Sequence, residues 1–206
     1  MIKKIIENFS SFFTTFGEKL RTRKGKLLFL CYLVALFFLF LFLERVFSKV
    51  VFAFGQSVPY KFFLKVDKFP SLNDYVLLKT DFSDPVARGK LIVKKISCVP
   101  GMSVVIIGPD YYCCNGSSDI SSGRCVFLGS AKFYSKKGEK IRPFNPCLPK
   151  NVDPELLKSE YKTLKCELSV PEGSFFFVNP HKDSYDSRYM GFIEKNKIIS
   201  VLSPLW

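Results

Sequence analysis

The chain has 206 residues, with 31 Lys or Arg against 18 Asp or Glu and a formal net charge of +13. Hydrophobic residues make up 48% and 23 residues are Phe, which excludes an intrinsically disordered chain, since such chains are poor in aromatics. Only one segment is apolar enough to span a bilayer, which excludes a polytopic membrane protein. The single histidine, His181, rules out a His-rich metal site and makes any Ser-His-Asp hydrolase depend on that residue.

Residues 1–26 form a basic tail. Lys3, Lys4, Lys19, Arg21, Arg23, Lys24 and Lys26 face only Glu7 and Glu18. Residues 27–43 follow as the uncharged run LLFLCYLVALFFLFLFL. A span needs roughly 20 apolar residues, about 17 at the low end. Snorkelling of Arg45, with Val46-Phe47 and Val50–Phe52 extending the helix, supplies the length. The run is apolar on every face, unlike an amphipathic core helix, and predicts a transmembrane helix over 27–47. No small-x-small site follows it, which argues against a cleaved leader. Basic flanks stay in the cytoplasm. Residues 48–206 are therefore expected outside it, behind a single-pass anchor with a cytoplasmic N-terminus.

Of seven cysteines, Cys31 lies in the span. Cys98, Cys113, Cys114, Cys125, Cys147 and Cys166 lie beyond it, an even number that an oxidising compartment turns into disulfides of open connectivity. No C-x-x-C or C-x-x-H spacing supports a zinc site, and no metal or organic cofactor is expected. The excess basic charge reads as a solvated surface near anionic lipid. No basic stripe with interleaved aromatics marks a nucleic-acid partner.

Short β-rich runs dominate after the anchor: 75–79, 91–96, 103–107, 125–128, 174–178 and 197–201. Pro- and Gly-containing turns separate them. Asp153 and Pro154 open a predicted helix over 153–162. Residues 108–170 hold five of the six exported cysteines and read as a disulfide-stapled insertion. The expected class is mainly β.

Three blocks carry candidate chemistry. Ser57, in Gly55-Gln56-Ser57-Val58-Pro59, sits in a loop whose geometry Pro59 restricts. Lys94, in the run 91–101, shares a strand face with Ile92 and Ile96. An amine among apolar groups loses preference for its charged form and becomes able to take a hydroxyl proton near neutral pH. Lys95 points to the other face. The third block, 181–192, gathers Ser184, Asp186 and Arg188. Asp186 and Arg188 would share a face if extended and pair structurally, and Ser184 would orient a neighbouring base.

In this order the blocks resemble bacterial signal peptidase I and its relatives, membrane-anchored serine–lysine proteases. Gln56-Ser57-Val58-Pro59 is similar to the serine motif. Asn73-Asp74-Tyr75-Val76-Leu77-Leu78 is similar to a strand motif. The stretch Lys94-Lys95-Ile96-Ser97-Cys98-Val99-Pro100-Gly101-Met102 is similar to the lysine motif, and Ser184-Tyr185-Asp186-Ser187-Arg188-Tyr189-Met190-Gly191 to the last. The resemblance covers roughly residues 55–206, with 108–170 matching poorly. The short Ser-Val-Pro, the cysteine-containing insertion and the ending Ser203-Pro204-Leu205-Trp206 are most similar to the plasmid-transfer (TraF-type) pilin-processing peptidases. Gly55 stands where one large branch carries a serine that completes the oxyanion hole. Met102 replaces an aspartate, and His181 and Lys182 stand where Arg and Asp are common.

The resemblance implies a signal peptidase-like catalytic domain in the bacterial inner membrane, facing the periplasm. Ser57 would be the nucleophile and Lys94 the general base, with Ser184, Asp186 and Arg188 in support. The implied partners are a precursor protein carrying a signal peptide, a conjugative pilin precursor by the finer likeness, and membrane lipid. Apolar residues near Ser57 (Val50–Phe54, Tyr60, Phe62, Phe63) are expected to dip into the bilayer interface. General signal peptidase I and an inactive anchored scaffold of a secretion or pilus apparatus remain as alternatives. A self-cleaving repressor is set aside, because no DNA-binding module is present.

Overall fold

The computed structural model describes residues 22–81, 83–116, 118–132, 134–136, 139–149 and 163–205. The predicted helix over 153–162 lies outside them. The chain divides into two units, 1–49 and 50–206.

In the first unit, helix α1 runs Arg23–Phe47, 25 residues with none buried. At 1.5 Å per residue it is about 37 Å long, beyond the ~30 Å of a hydrocarbon core. It begins earlier than the apolar run because Thr22 caps it: the Thr22 Oγ1 accepts from the Gly25 amide at 3.0 Å. It does not extend through Val50–Phe52. Those three residues form strand β1 of the second unit, as a β-branched pair and an aromatic favour.

The second unit is built on strands. After β1 come β2 (Phe62–Val66), β3 (Tyr75–Lys79), β4 (Leu91–Cys98), β5 (Met102–Ile107), β6 (Asp110–Asn115), β7 (Cys125–Ser130), β8 (Tyr134–Lys136), β9 (Glu139–Ile141), β10 (Lys165–Ser169), β11 (Ser174–Phe177), β12 (Ile193–Glu194) and β13 (Ile198–Pro204). A seven-stranded sheet has the order β1-β2-β13-β3-β4-β11-β12, a four-stranded sheet β10-β5-β6-β7, and β8 pairs with β9. All pairs are antiparallel. The fold is mainly β, as expected.

The central strands are buried on both faces, which explains their unbroken apolar sequences. Val76 and Leu78 of β3 pack with Ile96, Phe175, Phe177 and Val201. Tyr75 and Leu77 pack on the other side with Val58, Phe63 and Leu202. Similarly, Phe176 of β11 turns away from Phe175 and Phe177 to join Val104, Ile106 and Tyr111 of the four-stranded sheet. The period of two along a strand lets one strand serve two cores.

The described residues of 108–170 are disulfide-bonded, as expected, and many of them form strands. They supply β6, β7 and β10 to a sheet whose remaining strand is β5. Three disulfides form: Cys98–Cys113, Cys114–Cys125 and Cys147–Cys166. The first joins β4 of the large sheet to β6 of the small one. Cys31 is free and exposed.

Candidate active site

Strand β4 alternates as its sequence predicts: Lys94, Ile96 and Cys98 are buried, while Lys95 and Ser97 between them are half-buried. Lys94 is only 4% exposed and sits opposite Val76 of β3. Burial pushes its amine from the ordinary 10.5 down to about 8, with Asp186 raising it and Arg188 lowering it further. The ammonium donates to the Ser184 Oγ at 3.0 Å.

Ser57 lies in the loop between β1 and β2, in a run of bends. Val58 anchors that loop. Its side chain is buried with Phe63, Tyr75, Leu77 and Leu202, and Val93 packs against the same cluster. The result is a groove of about 410 Å³ whose lining includes Ser57, Lys94, Val51, Ala53, Ile92 and Val93. Ser57 and Lys94, 37 positions apart in the chain, thus face one cavity. Gly55 has φ +133°. A Cβ there would meet Ser57 Oγ at an ordinary 3.8 Å, so the backbone conformation, not lack of space, disfavours a side chain. The Lys61 Nζ donates to the Gly55 carbonyl at 2.7 Å and holds the bend.

Behind Lys94 lies a buried ion pair. Asp186 is fully buried and Arg188 is 2% exposed. Arg188 Nε and Nη2 donate to the two Asp186 oxygens at 2.9 Å each. The pair does not arise from an extended segment. Asp186 is the extended N-cap of a short helix, α2 (Ser187–Met190), and its carboxylate also accepts from the Arg188 amide. Arg188 goes on to donate to the carbonyls of Ser130 on β7 and His181. One guanidinium therefore ties the small sheet to the loop that carries Ser184. Gly129 makes room for it, since a Cβ there would come within 3.0 Å of Arg188 Nη1.

All five residues singled out from the sequence are brought into this region. Two contributors escaped that reading. Asn179, 2% exposed, accepts from the Lys95 amide at 3.0 Å and donates to the Val93 carbonyl at 3.2 Å, gripping β4 on both sides of Lys94. Its own amide donates to Asp186 Oδ2. Ser187 Oγ accepts from the Phe177 amide at 2.9 Å. The available signal was an asparagine ending the apolar run Phe175–Val178, a polar residue where a core strand would not otherwise hold one. Among the described residues no group of three His, Cys, Asp or Glu is placed to hold a metal.

Around the groove, Phe52, Phe54 and Phe62 are exposed, Phe54 at 94%. Phe63, expected among them, is instead fully buried with Tyr75 against its ring.

A buried lysine hydrogen-bonded to Ser184 thus lines the groove that the loop serine Ser57 also lines. The family profile described as "Signal peptidase, peptidase S26" matches residues 23–206, and the chain belongs to that family. A search of curated proteins finds no match. Among solved structures, a signal peptidase I from Enterococcus faecalis is similar, with 22% identity over 66% of this chain and 98% of that one, at a TM-score of 0.34.

Proposed function

We propose that the protein is a membrane-anchored serine endopeptidase that removes leader peptides from exported precursors through a dyad of Ser57 and Lys94. Family membership supports the removal of signal peptides. The observation that carries the dyad is Lys94: buried, lowered to about 8, and held by Ser184 in the groove that Ser57 lines.

In this reading Ser57 Oγ attacks the scissile carbonyl as the neutral Lys94 amine takes its proton. The tetrahedral oxyanion accepts from the Ser57 backbone N–H. Collapse breaks the peptide bond, and the Lys94 ammonium returns the proton to the leaving amine. Water then hydrolyses the acyl-enzyme, with Lys94 again as base. Ser184 keeps the amine pointed. Asp186 and Arg188 hold the Ser184 loop and, through Asn179, the β4 backbone.

Helix α1 has the length and composition of a span, and the basic tail before it favours a cytoplasmic N-terminus. The exposed Phe52, Phe54 and Phe62 suit contact with lipid headgroups near an emerging cleavage site. The short Ser57-Val58-Pro59, the cysteine-rich small sheet and the Ser203-Pro204-Leu205-Trp206 ending favour a conjugative pilin precursor as substrate.

The test presents purified membranes bearing wild-type or Ser57→Ala protein with a candidate pilin precursor and a generic secretory preprotein, reading new termini by mass spectrometry. Cleavage of the pilin alone, lost in Ser57→Ala, is the expected result. Cleavage of both would make it a general signal peptidase. Cleavage of neither by folded protein would favour the anchored scaffold.

A further inference from the structure

Tyr185, the residue after Ser184, makes a contact that the proposed chemistry does not use. Its phenol donates to Asp84 Oδ2 at 3.2 Å, across most of the second unit's sequence. The ring of Tyr185 stacks on Tyr189, with centroids 5.7 Å apart and planes inclined by 21°. Stacking sets the direction of the ring and so aims its hydroxyl.

Asp84 is itself fixed. Its Oδ1 accepts from the Val86 and Ala87 amides at 2.9 and 2.5 Å. These amides belong to the segment that leads into β4. That segment is closed at its base, where the Thr80 amide and Oγ1 both donate to the Lys90 carbonyl, at 3.1 and 3.0 Å. Thr80 and Ala87 are buried. The Gly89 amide donates to the Asp81 carbonyl at 2.8 Å. Strand β4, which carries Lys94, begins at Leu91.

These bonds complete a ring. The chain runs from Lys94 back along β4 to Asp84. A side-chain bond crosses from Asp84 to Tyr185, one peptide bond from Ser184. The Lys94 ammonium closes the ring on Ser184 Oγ at 3.0 Å. From the other side, the Ser184 amide donates to the His181 carbonyl at 3.1 Å, which also accepts from Arg188. Arg188 thus fixes the Ser184 loop against the small sheet, and Tyr185 fixes it against the base's own strand.

We propose that Tyr185 and Asp84 are positioning residues that keep Ser184 within hydrogen-bond distance of Lys94. This role rests on the reading of Ser57 and Lys94 as a dyad. Without the phenol hydroxyl, Ser184 drifts from the amine, and a contact much beyond 3.5 Å is no longer a hydrogen bond. Lys94 then loses an acceptor that favours its charged form, a form that Asp186 supports and Arg188 opposes.

The test is a double-variant cycle on the full chain in nanodiscs, read by precursor cleavage and by NMR titration of Lys94 with isotope-labelled lysine. Tyr185→Phe keeps the stacked ring and removes one oxygen. It should lower kcat about three- to tenfold, the scale of one side-chain hydrogen bond. KM should stay nearly constant, and the Lys94 titration should move to lower pH. Asp84→Ala should act in the same direction; if loss of its bonds to the Val86 and Ala87 amides unfolds the chain, Tyr185→Phe decides alone. Near-UV circular dichroism reports that each variant is folded. In a Ser184→Ala background, Tyr185→Phe should change kcat by less than about twofold, because effects that act through one contact do not add. An equal loss with and without the Ser184 hydroxyl would overturn the proposal, as would a Lys94 titration unmoved by Tyr185→Phe. A titration that moves while cleavage keeps its wild-type rate would uphold the positioning role and count against Lys94 as the base.

Discussion

Lys94 and Ser184 stand 90 residues apart in the chain, and the amine of one donates to the hydroxyl of the other at 3.0 Å. The hydroxyl oxygen favours the charged amine, so its removal should both free the lysine rotamer and lower the amine further. Ser184→Ala should reduce kcat by about 10- to 100-fold, the scale of a hydrogen bond to a charged group. KM should change little, and the rising limb of the pH profile should move to lower pH. Ser184→Thr keeps the hydroxyl and should restore most of the activity. A purely structural serine would leave the pH limb where it was.

Removal of either dyad member should be far more severe. Ser57→Ala and Lys94→Ala should each lower kcat/KM by on the order of a thousandfold or more. Lys94→Arg should fail as completely, because a guanidinium does not deprotonate in a protein. Lys95→Ala, on the other strand face, should change precursor cleavage by less than about tenfold. Normal cleavage by Lys94→Ala would refute the dyad.

The reaction should depend on pH through Lys94. A general base must be neutral, and the neutral fraction grows as pH rises through the folded value of about 8. Activity should therefore climb across pH 8 and level above it. The same shift links to stability. Between about 8 and the ordinary 10.5, the unfolded chain binds more protons than the folded one, so stability should rise with pH in that window. Lys94→Met should flatten both trends, measurable by peptide cleavage and by denaturant unfolding.

The buried Asp186–Arg188 pair invites a test of stability rather than chemistry. Asp186→Ala leaves a guanidinium buried without its carboxylate and should cost about 3–5 kcal/mol. Arg188→Lys keeps the charge but loses the two-pronged contact and the reach to Ser130 and His181, so it too should unfold at lower denaturant concentration. Unchanged unfolding in both would mean that the small helix is held by other contacts.

The strands most legible in the sequence were β3, β4 and β11, where apolar runs reflect burial on one or both faces. Strand β6 was not legible, because Asp110, two cysteines and Asn115 dilute its apolar pattern. β1 carries no clear strand signal of its own, because Val and Phe suit an extension of the membrane helix as well as a strand. The start of α1 was missed as well, since a threonine cap before a cationic first turn runs against the usual acidic preference there. At the site, Ser57 and Lys94 stood out only through the order of their blocks. Asn179 acts on backbone groups of a strand distant in sequence, and nothing in its neighbours announces that partner. The geometry of Asp186 and Arg188 depended on a helix of four residues, too short to leave a periodic signal.

Cys113 and Cys114 are adjacent on β6, yet they bond to Cys98 and Cys125 respectively. The pleat turns neighbouring side chains to opposite faces, so each thiol is shown to only one suitor. Cys114 is matched with Cys125 across the ladder, and Cys113 with Val126. If β7 slid by a single residue during maturation, Cys125 would confront Cys113 and strand Cys98 without its mate. Only one alignment of β7 therefore lets all four cysteines pair as they do.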